Sequence, residues 1–213
     1  MELVTVSIAD RVFSEIESSI LCGHYKIGDI ITETKLSEEY GVSRTPIREA
    51  VRRLEQEKLV KHVGKGVCIL GIGKKELMEI YEIRLCLEGY ATRSAALLMT
   101  DEEKASLKEI TELQKFYLSS NLHDKMGEAD SEFHSIIYSS CGSETMKEIL
   151  TSLHRKTQMY RKMSIDEKTR KADAVGEHAE ICQAIINGDA EKAAALATAH
   201  IKNAMDNIQR ILV

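Results

Sequence analysis

The sequence predicts a mostly α-helical protein made of a turn-rich N-terminal part of about 70 residues and a helical part of about 140. The first observation is that its 213 residues include one proline, no tryptophan and three phenylalanines, so long stretches contain nothing that breaks a helix. The second is that seven of the twelve glycines fall within the first 73 residues. This shift in composition places a boundary near Gly71–Lys74, and we expect domains at residues 1–72 and 73–213.

The composition excludes several classes of protein. Hydrophobic residues make up 43% and charged residues 30% of the chain, close to the average of soluble globular proteins. No stretch approaches the ~18 uninterrupted apolar residues of a membrane span, and Met1–Asp10 lacks the layout of a secretion signal. The five cysteines are scattered and contain no CxxC pair, which favours reduced thiols. We therefore expect a cytoplasmic protein that does not associate with membranes.

The net charge of −5 conceals a local basic segment. Residues 1–43 carry three Lys and Arg against eight Asp and Glu, whereas residues 44–65 carry seven against three. An acidic protein with one basic segment is typical of a defined contact surface for nucleic acid, because a generally basic chain would bind polyanions without selectivity.

The N-terminal part predicts three helices in succession. Apolar residues recur at helical spacing over about residues 6–21. A shorter helix follows, with Thr32 or Thr34 as its cap. After a glycine turn, Ser43 or Thr45 can cap a third helix. The single proline of the chain lies in the first turn of this helix, where a proline is tolerated.

A hairpin is predicted directly after the third helix. Residues 60–63 and 66–70 have the pattern of two strands, joined by a small basic tip. Taken alone, a basic helix face is usually only solvated and a Gly-Lys-Gly segment is usually only a turn. In this order and spacing they predict a winged helix-turn-helix, since a recognition helix needs Arg near its N-terminus and a wing needs a small cationic tip.

Residues 6–70 resemble the DNA-binding domain of the GntR family of bacterial transcription regulators. The resemblance rests on residues 36–40, on the stretch GVSRTPIREA at residues 41–50, and on residues 64–67. It implies that Arg44, Thr45 and Arg48 contact operator DNA and that the wing tip enters the minor groove. The DNA-contacting residues that we expect are Thr34, Arg44, Thr45, Arg48, Arg52, Gly64, Lys65 and Gly66.

Two positions depart from the pattern of this family. Ile27 stands where proline is usual, and Lys58 stands where glycine is usual after the recognition helix. We expect Lys58 to cost ~1 kcal/mol of stability if it must adopt a left-handed conformation. Neither position reads DNA, so both bear on loop stability.

The C-terminal part predicts six amphipathic helices. Each boundary pairs a stop signal with a capping residue, and the short connections favour an antiparallel bundle. The predicted helices cover about residues 75–98, 101–119, 122–141, 144–163, 166–187 and 190–212.

Three histidines and one aspartate in these helices suggest a metal site. Asp130 and His134 are four residues apart and share one helix face, while His178 and His200 lie beside apolar residues in the last two helices. Imidazoles and a carboxylate that converge inside a bundle suit a divalent transition metal. The alternative is that each is a surface or core histidine. We expect the remaining helical histidines, His123 and His154, to lie outside the site.

Residues 78–203 resemble the helical FCD effector domain of the FadR subfamily, through the stretches EIRLCLE at residues 82–88 and DSEFH at 130–134 and the dipeptides Glu177-His178 and Ala199-His200. Six helices are similar to the VanR-like branch. The resemblance implies that Asp130, His134, His178 and His200 bind a divalent metal, either Zn, Ni, Mn, Co or Fe. It further implies that Arg84 helps to hold an effector; the alternative is a simple ion pair with Glu88.

These observations predict a homodimeric transcription regulator, by expectation a repressor, that binds a pseudo-palindromic operator and responds to a small organic acid at the metal-containing domain. One alternative is a regulator whose signal is the metal itself. Another is a metal-dependent hydrolase with Glu132 or Glu177 as base, but the chain has no HExxH, nucleophile elbow, P-loop or GxGxxG motif. We therefore do not expect an enzyme.

Overall fold

The computed structural model of the chain describes residues 7–157, 160 and 168–212. It divides into two compact units between Gly73 and Lys74, one residue beyond the boundary proposed from the sequence. Each unit is described separately below.

The N-terminal unit is a winged helix-turn-helix, and the predicted fold class is confirmed. It contains a third strand that the sequence analysis did not predict, because three residues are too few to show an alternating pattern. Its elements are α1 (Ile8–Leu21), β1 (Ile30–Thr32), α2 (Glu33–Glu39), α3 (Arg44–Gln56), β2 (Val60–Val63) and β3 (Gly66–Ile69).

The three strands form an antiparallel sheet in the order β1-β3-β2. Val67 at its centre is paired with Ile31 on one side and with His62 on the other. The apolar face of this sheet and the stripes of α1 and α3 close over one core. Its buried members include Val12, Phe13, Ile16, Ile20, Ile47, Val51, Leu54, Leu59, Val67 and Ile69.

Side-chain caps fix where the helices of this unit begin. The hydroxyl of Ser7 accepts a hydrogen bond from the backbone N–H of Asp10 at 3.0 Å. Thr32, not Thr34, caps α2 by accepting from the N–H of Lys35 at 3.2 Å. Thr34 is therefore left available on the exposed side of α2.

The C-terminal unit consists of helices at all six predicted positions. Thr100 and Glu103 form a reciprocal capping box at the start of the second, and Ser143 and Asp189 cap the fourth and sixth. The helices are α4 (Lys74–Leu98), α5 (Asp101–Ser119), α6 (His123–Ser139), α7 (Glu144–Lys156), α8 (Lys168–Ile186) and α9 (Ala190–Ile211).

Two of the described helices end two or more residues earlier than predicted. α6 stops at Ser139, two residues before its predicted end, and α7 ends at Lys156, where the N–H and the hydroxyl of Thr157 both bond to the carbonyl of His154. The remainder of the stretch predicted to reach residue 163 falls largely on residues outside the described ones. Within the described part of the chain, every helix is too short or too polar to cross a bilayer.

Helices α4 and α9 pack in close contact along the C-terminal unit because a glycine lies between them. A Cβ atom on Gly89 would be 2.6 Å from the hydroxyl oxygen of Thr198 and 3.3 Å from the carbonyl oxygen of Ala194. Any side chain at residue 89 would therefore force the two helices apart. This contact brings the buried faces of α4 and α9 toward the same interior.

Lys58 ends α3 in the left-handed conformation, with φ of 59°. The N–H of Lys58 bonds to the carbonyl of Glu55 at 3.0 Å, and the N–H of Leu59 bonds to the carbonyl of Leu54 at 2.9 Å. This is the Schellman arrangement, in which glycine is the usual residue because it lacks a Cβ. Lysine therefore adopts the strained conformation anticipated from the sequence.

We predict that Lys58→Gly stabilises the protein by about 0.5–1 kcal/mol, because it removes the left-handed strain while keeping both hydrogen bonds. Chemical denaturation of the full-length chain measures the change. Lys58→Ala is the matched control, since it removes the long side chain but keeps the Cβ. Equal stability of the Gly and Ala variants would contradict the strain.

Candidate functional site

The exposed end of α3 lies beside α2 and collects three of the residues predicted to contact DNA. Thr34 accepts a hydrogen bond from Nη2 of Arg44, and Nε of Arg48 bonds to Oε2 of Glu33 at 2.8 Å. Ser43 makes no side-chain cap at this helix start. The first N–H groups of α3 are therefore directed outward beside two guanidinium groups, an arrangement that suits phosphate.

Two further residues of α3 that were predicted to contact DNA extend the same surface, whereas the neighbouring Arg53 does not. Thr45 and Arg52 are exposed, Arg52 one turn beyond Arg48. Arg53 instead faces α1, where it bonds to Asp10 at 2.5 Å and covers the ring of Phe13 at 4.1 Å. The basic segment thus divides between a solvent-facing surface and a contact that holds α1 to α3.

The wing tip presents two of its three predicted residues to solvent. Gly64 and Lys65 are exposed, whereas Gly66 is buried in β3. A Cβ on Gly66 would be 2.7 Å from Cγ2 of Ile30 and 3.3 Å from the carbonyl oxygen of Ile31. Packing against β1 therefore explains this glycine, and only residues 64 and 65 form the accessible tip.

The C-terminal unit encloses a cavity with about 60 Å³ open to the centres of water molecules. That volume holds about four waters or a short organic acid. All four predicted metal ligands line it, as do the buried cations Arg84, Arg170 and Lys171. The other lining residues are Tyr81, Gln114, Met126, Ala174, Val175, Ile201 and Ala204.

The proton of His178 is fixed by a chain of hydrogen bonds that begins at the backbone. The side-chain NH₂ of Gln114 donates to the carbonyl of Ala129 at 2.9 Å, which orients its Oε1 toward His178. That oxygen lies 2.8 Å from Nδ1 of His178. Since an amide oxygen only accepts, Nδ1 carries the proton and Nε2 presents a lone pair to the cavity.

His200 is oriented in the same sense by a carboxylate. Its Nδ1 lies 2.6 Å from Oε2 of Glu177, which also accepts two bonds from Arg170, at 2.8 and 2.9 Å, and one from Asn203. Burial alone would raise the pKa of Glu177, but the bonds from His200 and Arg170 lower it to about 2. The carboxylate is therefore ionised, and His200 donates from Nδ1.

His134 follows the same pattern through a phenol. The hydroxyl of Tyr138 donates to Oε1 of Glu88 at 2.6 Å, so its oxygen is left to accept from Nδ1 of His134 at 3.4 Å. Burial, together with the neighbouring histidines, lowers the pKa of His134 well below its usual range. The ring is neutral, which is the form that binds metals.

The three bare Nε2 atoms fit a divalent metal ion. Ligand nitrogens of His134, His178 and His200 lie within 4.8 Å of one another, and Nε2 of His178 is 3.3 Å from Nε2 of His200. Two lone pairs at that distance repel each other. Two imidazole nitrogens bound at ~2.1 Å to one ion are separated by about this distance, so a cation would turn the repulsion into binding.

The fourth predicted ligand, Asp130, stands slightly apart from this triad. Its carboxylate forms a separate cluster of possible ligand atoms with His134 and His154, again within 4.8 Å. The expectation that His154 lies outside the site is therefore wrong, because α7 places it beside Asp130, with 3.6 Å between Nε2 and Oδ2. The side chain of His123, the other histidine expected outside, is not among those described.

Arg84 is buried in the wall of the cavity and makes the ion pair with Glu88 that was its alternative role. Nε and Nη2 both donate to Oε1 of Glu88, at 2.9 and 2.7 Å, and Nη2 also lies 3.4 Å from the hydroxyl of Tyr138 and 3.3 Å from Nδ1 of His154. Among the described residues these contacts use Nε and Nη2, which leaves Nη1 as a donor for a ligand. The two roles are thus compatible.

The cavity offers no support for a hydrolytic base at the two positions considered from the sequence. Glu132 is exposed and does not line the cavity. Glu177 is held by three partners with its pKa near 2, so it cannot take a proton at neutral pH.

Two family models match the chain. The model of the bacterial regulatory proteins of the gntR family matches residues 8–69, and the FCD domain model matches residues 79–203. Together they span the winged helix-turn-helix and the helical unit that contains the cavity.

Curated relatives and solved structures agree with these matches. The gluconate operon transcriptional repressor of Bacillus licheniformis is 33% identical over 63% of this chain, and the match spans 56% of that protein's length. An uncharacterised regulator of Bacillus subtilis, YdhC, is 26% identical over 94% of this chain and 90% of its own. The structure titled E. coli McbR/YncC shares the fold, with a TM-score of 0.86 at 19% identity over 98% of this chain and 100% of its own. The chain belongs to the GntR family of DNA-binding transcription regulators, with an FCD domain.

Proposed function

We propose that this regulator is a homodimeric repressor that binds a small organic acid and a divalent metal ion in its FCD domain and thereby changes its affinity for operator DNA. The observation that carries the proposal is the cavity in which Nε2 atoms of three histidines converge beside the guanidinium of Arg84. Such a regulator acts where the bacterial chromosome is, in the cytoplasm.

The DNA-binding part of the proposal rests on the exposed surface of α2, α3 and the wing. Arg44 and Arg48 lie at the N-terminal end of the recognition helix, from which side chains reach base edges in the major groove. Lys65 at the accessible wing tip suits the phosphate backbone or the minor groove. The exposed ion pair of Arg48 with Glu33 is worth at most about 1 kcal/mol, so DNA can displace it.

An apolar stripe on α4 favours a dimer. Ile83, Tyr90 and Leu97 are 46%, 59% and 62% exposed and recur every seven residues, which places them on one face of the helix. A second copy of the chain that covers this face would bury it by two-fold symmetry. Two winged helices related by that symmetry would read a pseudo-palindromic operator.

The metal part of the proposal assigns His134, His178 and His200 as ligands and Asp130 as the fourth. Nitrogen and carboxylate donors of this kind suit Zn, Ni, Mn, Co or Fe. When bound, the ion would supply a positive charge with open coordination positions. The protein supplies the orientation, since Gln114, Glu177 and Tyr138 each fix one imidazole.

The charge balance of the site favours an anionic effector. Within the described part of the chain, three cations and three anions line the cavity or contact its lining residues, and their charges cancel. These are Arg84, Arg170 and Lys171 against Glu88, Asp130 and Glu177. A divalent ion adds two positive charges, which one or two carboxylates would neutralise. A relative that represses an operon named for gluconate, itself a carboxylate, supports the same class and the repressor role.

A regulator that senses the metal alone is the second candidate. It is favoured by the same triad, because the ion would relieve the repulsion between the facing nitrogens without any organic ligand. Operator affinity measured against metal concentration in acid-free buffer separates the two, since only the metal sensor would respond.

We predict that Arg44→Ala or Arg48→Ala weakens operator binding by about 1–3 kcal/mol per half-site, because each removes a donor from the start of the recognition helix. With about three to five phosphate contacts per half-site, the log–log salt dependence of binding should have a slope near −6 to −9. Fluorescence anisotropy with operator DNA measures both quantities.

Arg11→Ala is the matched control for these variants, since it removes one exposed charge from α1 of the same unit. Glu33→Gln, which releases Arg48 from its ion pair, should bind DNA at least as tightly as the parent protein. Unchanged affinity of both recognition-helix variants would remove α3 from the interface.

We predict that alanine at His134, His178 or His200 lowers metal content and thermal stability together. The ion binds only the folded chain, and an ion present at 100 times its Kd would add about 2.7 kcal/mol. Native mass spectrometry with elemental analysis reports bound metal and the mass of the dimer in one measurement. Thermal unfolding with and without a chelator reports the stability.

His24→Ala is the control, because that side chain is 67% exposed and lies in the other unit. Metal occupancy that is equal in this control and in all three site variants would show that the triad does not hold the ion.

We predict that Arg84→Lys weakens binding of the regulating acid about tenfold or more, because lysine keeps a charge beside Glu88 but lacks Nη1, the donor that Arg84 has left for a ligand. Lysine is chosen over alanine since it keeps a cation beside the buried Glu88. Calorimetry across a panel of carboxylates, acetate and gluconate included, makes the measurement; Arg93→Lys, on an exposed ion pair, is the control. A carboxylate that regulates DNA binding yet binds the Arg84 variant with unaltered affinity would refute the role.

A further inference from the structure

A fourth buried histidine, His154, lies between the residues proposed to hold the acid and those proposed to hold the metal. It sits in the last turn of α7 and is 5% exposed. Its ring centroid is 4.6 Å from that of His134. The backbone carbonyl of His154 accepts a bond from the hydroxyl of Thr157 at 2.8 Å, which fixes the end of the helix that carries it.

The proton of His154 is on the opposite nitrogen from that of the three triad histidines. Nη2 of Arg84 lies 3.3 Å from Nδ1 of His154, and a guanidinium can only donate. Nδ1 therefore accepts, and the single proton is on Nε2.

This proton faces the carboxylate of Asp130 rather than an ion. Nε2 of His154 lies 3.6 Å from Oδ2 of Asp130. A nitrogen that keeps its proton has no lone pair for a metal. The ring can instead donate to this carboxylate and so help to orient it.

We propose that His154 is a positioning residue that links the guanidinium of Arg84 to the carboxylate of Asp130 and so couples acid binding to metal binding. The inference rests on the proposed function, because it takes the acid and the ion as the ligands of the cavity. An acid that binds Arg84 alters the hydrogen bond that Arg84 donates to Nδ1 of His154. The other nitrogen of the same ring, Nε2, lies beside Asp130, so a shift of the ring also moves this contact. Each ligand therefore alters the affinity of the site for the other.

Two substitutions at residue 154 separate positioning from packing. His154→Leu fills the buried space with an apolar side chain but removes the contacts with Arg84 and Asp130. His154→Gln restores both, since its Oε1 can accept from Arg84 and its NH₂ can donate to Asp130. We expect the leucine variant to bind Zn²⁺ about 10- to 100-fold more weakly in competition with a chelator, and the glutamine variant to regain most of the loss. Acetate should also bind the Zn²⁺-loaded leucine variant more weakly, while His24→Leu changes neither affinity.

Nuclear magnetic resonance of the ¹⁵N-histidine-labelled full chain gives a readout that packing alone would not produce. His154 should carry its proton on Nε2 in the metal-free protein and keep it when Zn²⁺ is added. The Nε2 resonances of the triad histidines should instead shift, because these atoms bind the metal. The His154→Gln spectrum assigns the resonance.

Two results would overturn the inference. One is a Zn²⁺ affinity of His154→Leu equal to that of the wild type. The other is loss of the Nε2 proton of His154 on metal addition, which would make it a direct ligand. If the wild-type protein binds no Zn²⁺ or other divalent ion, the proposed function fails, and the metal-free spectrum still decides whether Arg84 orients His154.

Discussion

The hydrogen bonds that three buried histidines donate from Nδ1 organise the interior of the C-terminal unit. Each ring gives its Nδ1 proton to a different kind of acceptor: an amide on α5, a carboxylate on α8 and a phenol on α6. Those acceptors are themselves held, through Ala129, Arg170 and Glu88. The acceptors bind the Nδ1 side of each ring, so the Nε2 atoms face one another across the cavity. Their lone pairs favour a cation.

The buried charges on α4 belong to the same network. Arg84 and Glu88 are one helical turn apart and almost completely inaccessible, which would be costly in an apolar core without further partners. Tyr138 and His154 provide those partners and connect α4 to α6 and α7. Gly89 lets α9, which carries His200, approach the same helix. Helix packing and site geometry are therefore not separable in this domain.

Sequence patterns predicted the fold and most of the site, for identifiable reasons. Helix caps such as Thr100 and periodic apolar stripes act within a few residues, so they are visible in the chain itself. The link between Asp130 and His134 is also local, because both lie on one turn of α6. Apolar neighbours singled out His178 and His200 as candidates, and the family resemblance then assigned all four residues to one metal site.

What the sequence did not show depends on contacts between distant residues. Gln114 is 64 positions from His178, and no local pattern marks an amide that orients a ring. His154 carries no signal either, since its importance comes from the neighbours that α4 and α6 bring to it. β1 was missed because its three residues become a strand only by pairing with the wing. A search for the hydrogen-bond partners that each buried helical histidine requires could have pointed to residues such as Gln114.

The ion pair between Arg48 and Glu33 has a consequence for how the regulator searches a genome. If Arg48 contacts a base, as proposed above, it must first leave a carboxylate that lies 2.8 Å away, and that carboxylate is then left near the negatively charged duplex. This cost is the same on every sequence, whereas the compensating hydrogen bonds form only where the correct base is present. Random DNA, which outnumbers the operator by a factor of about 10⁶ or more, is thus penalised without being contacted in any specific way. An acidic residue beside a recognition arginine therefore shortens the residence of the protein on wrong sites.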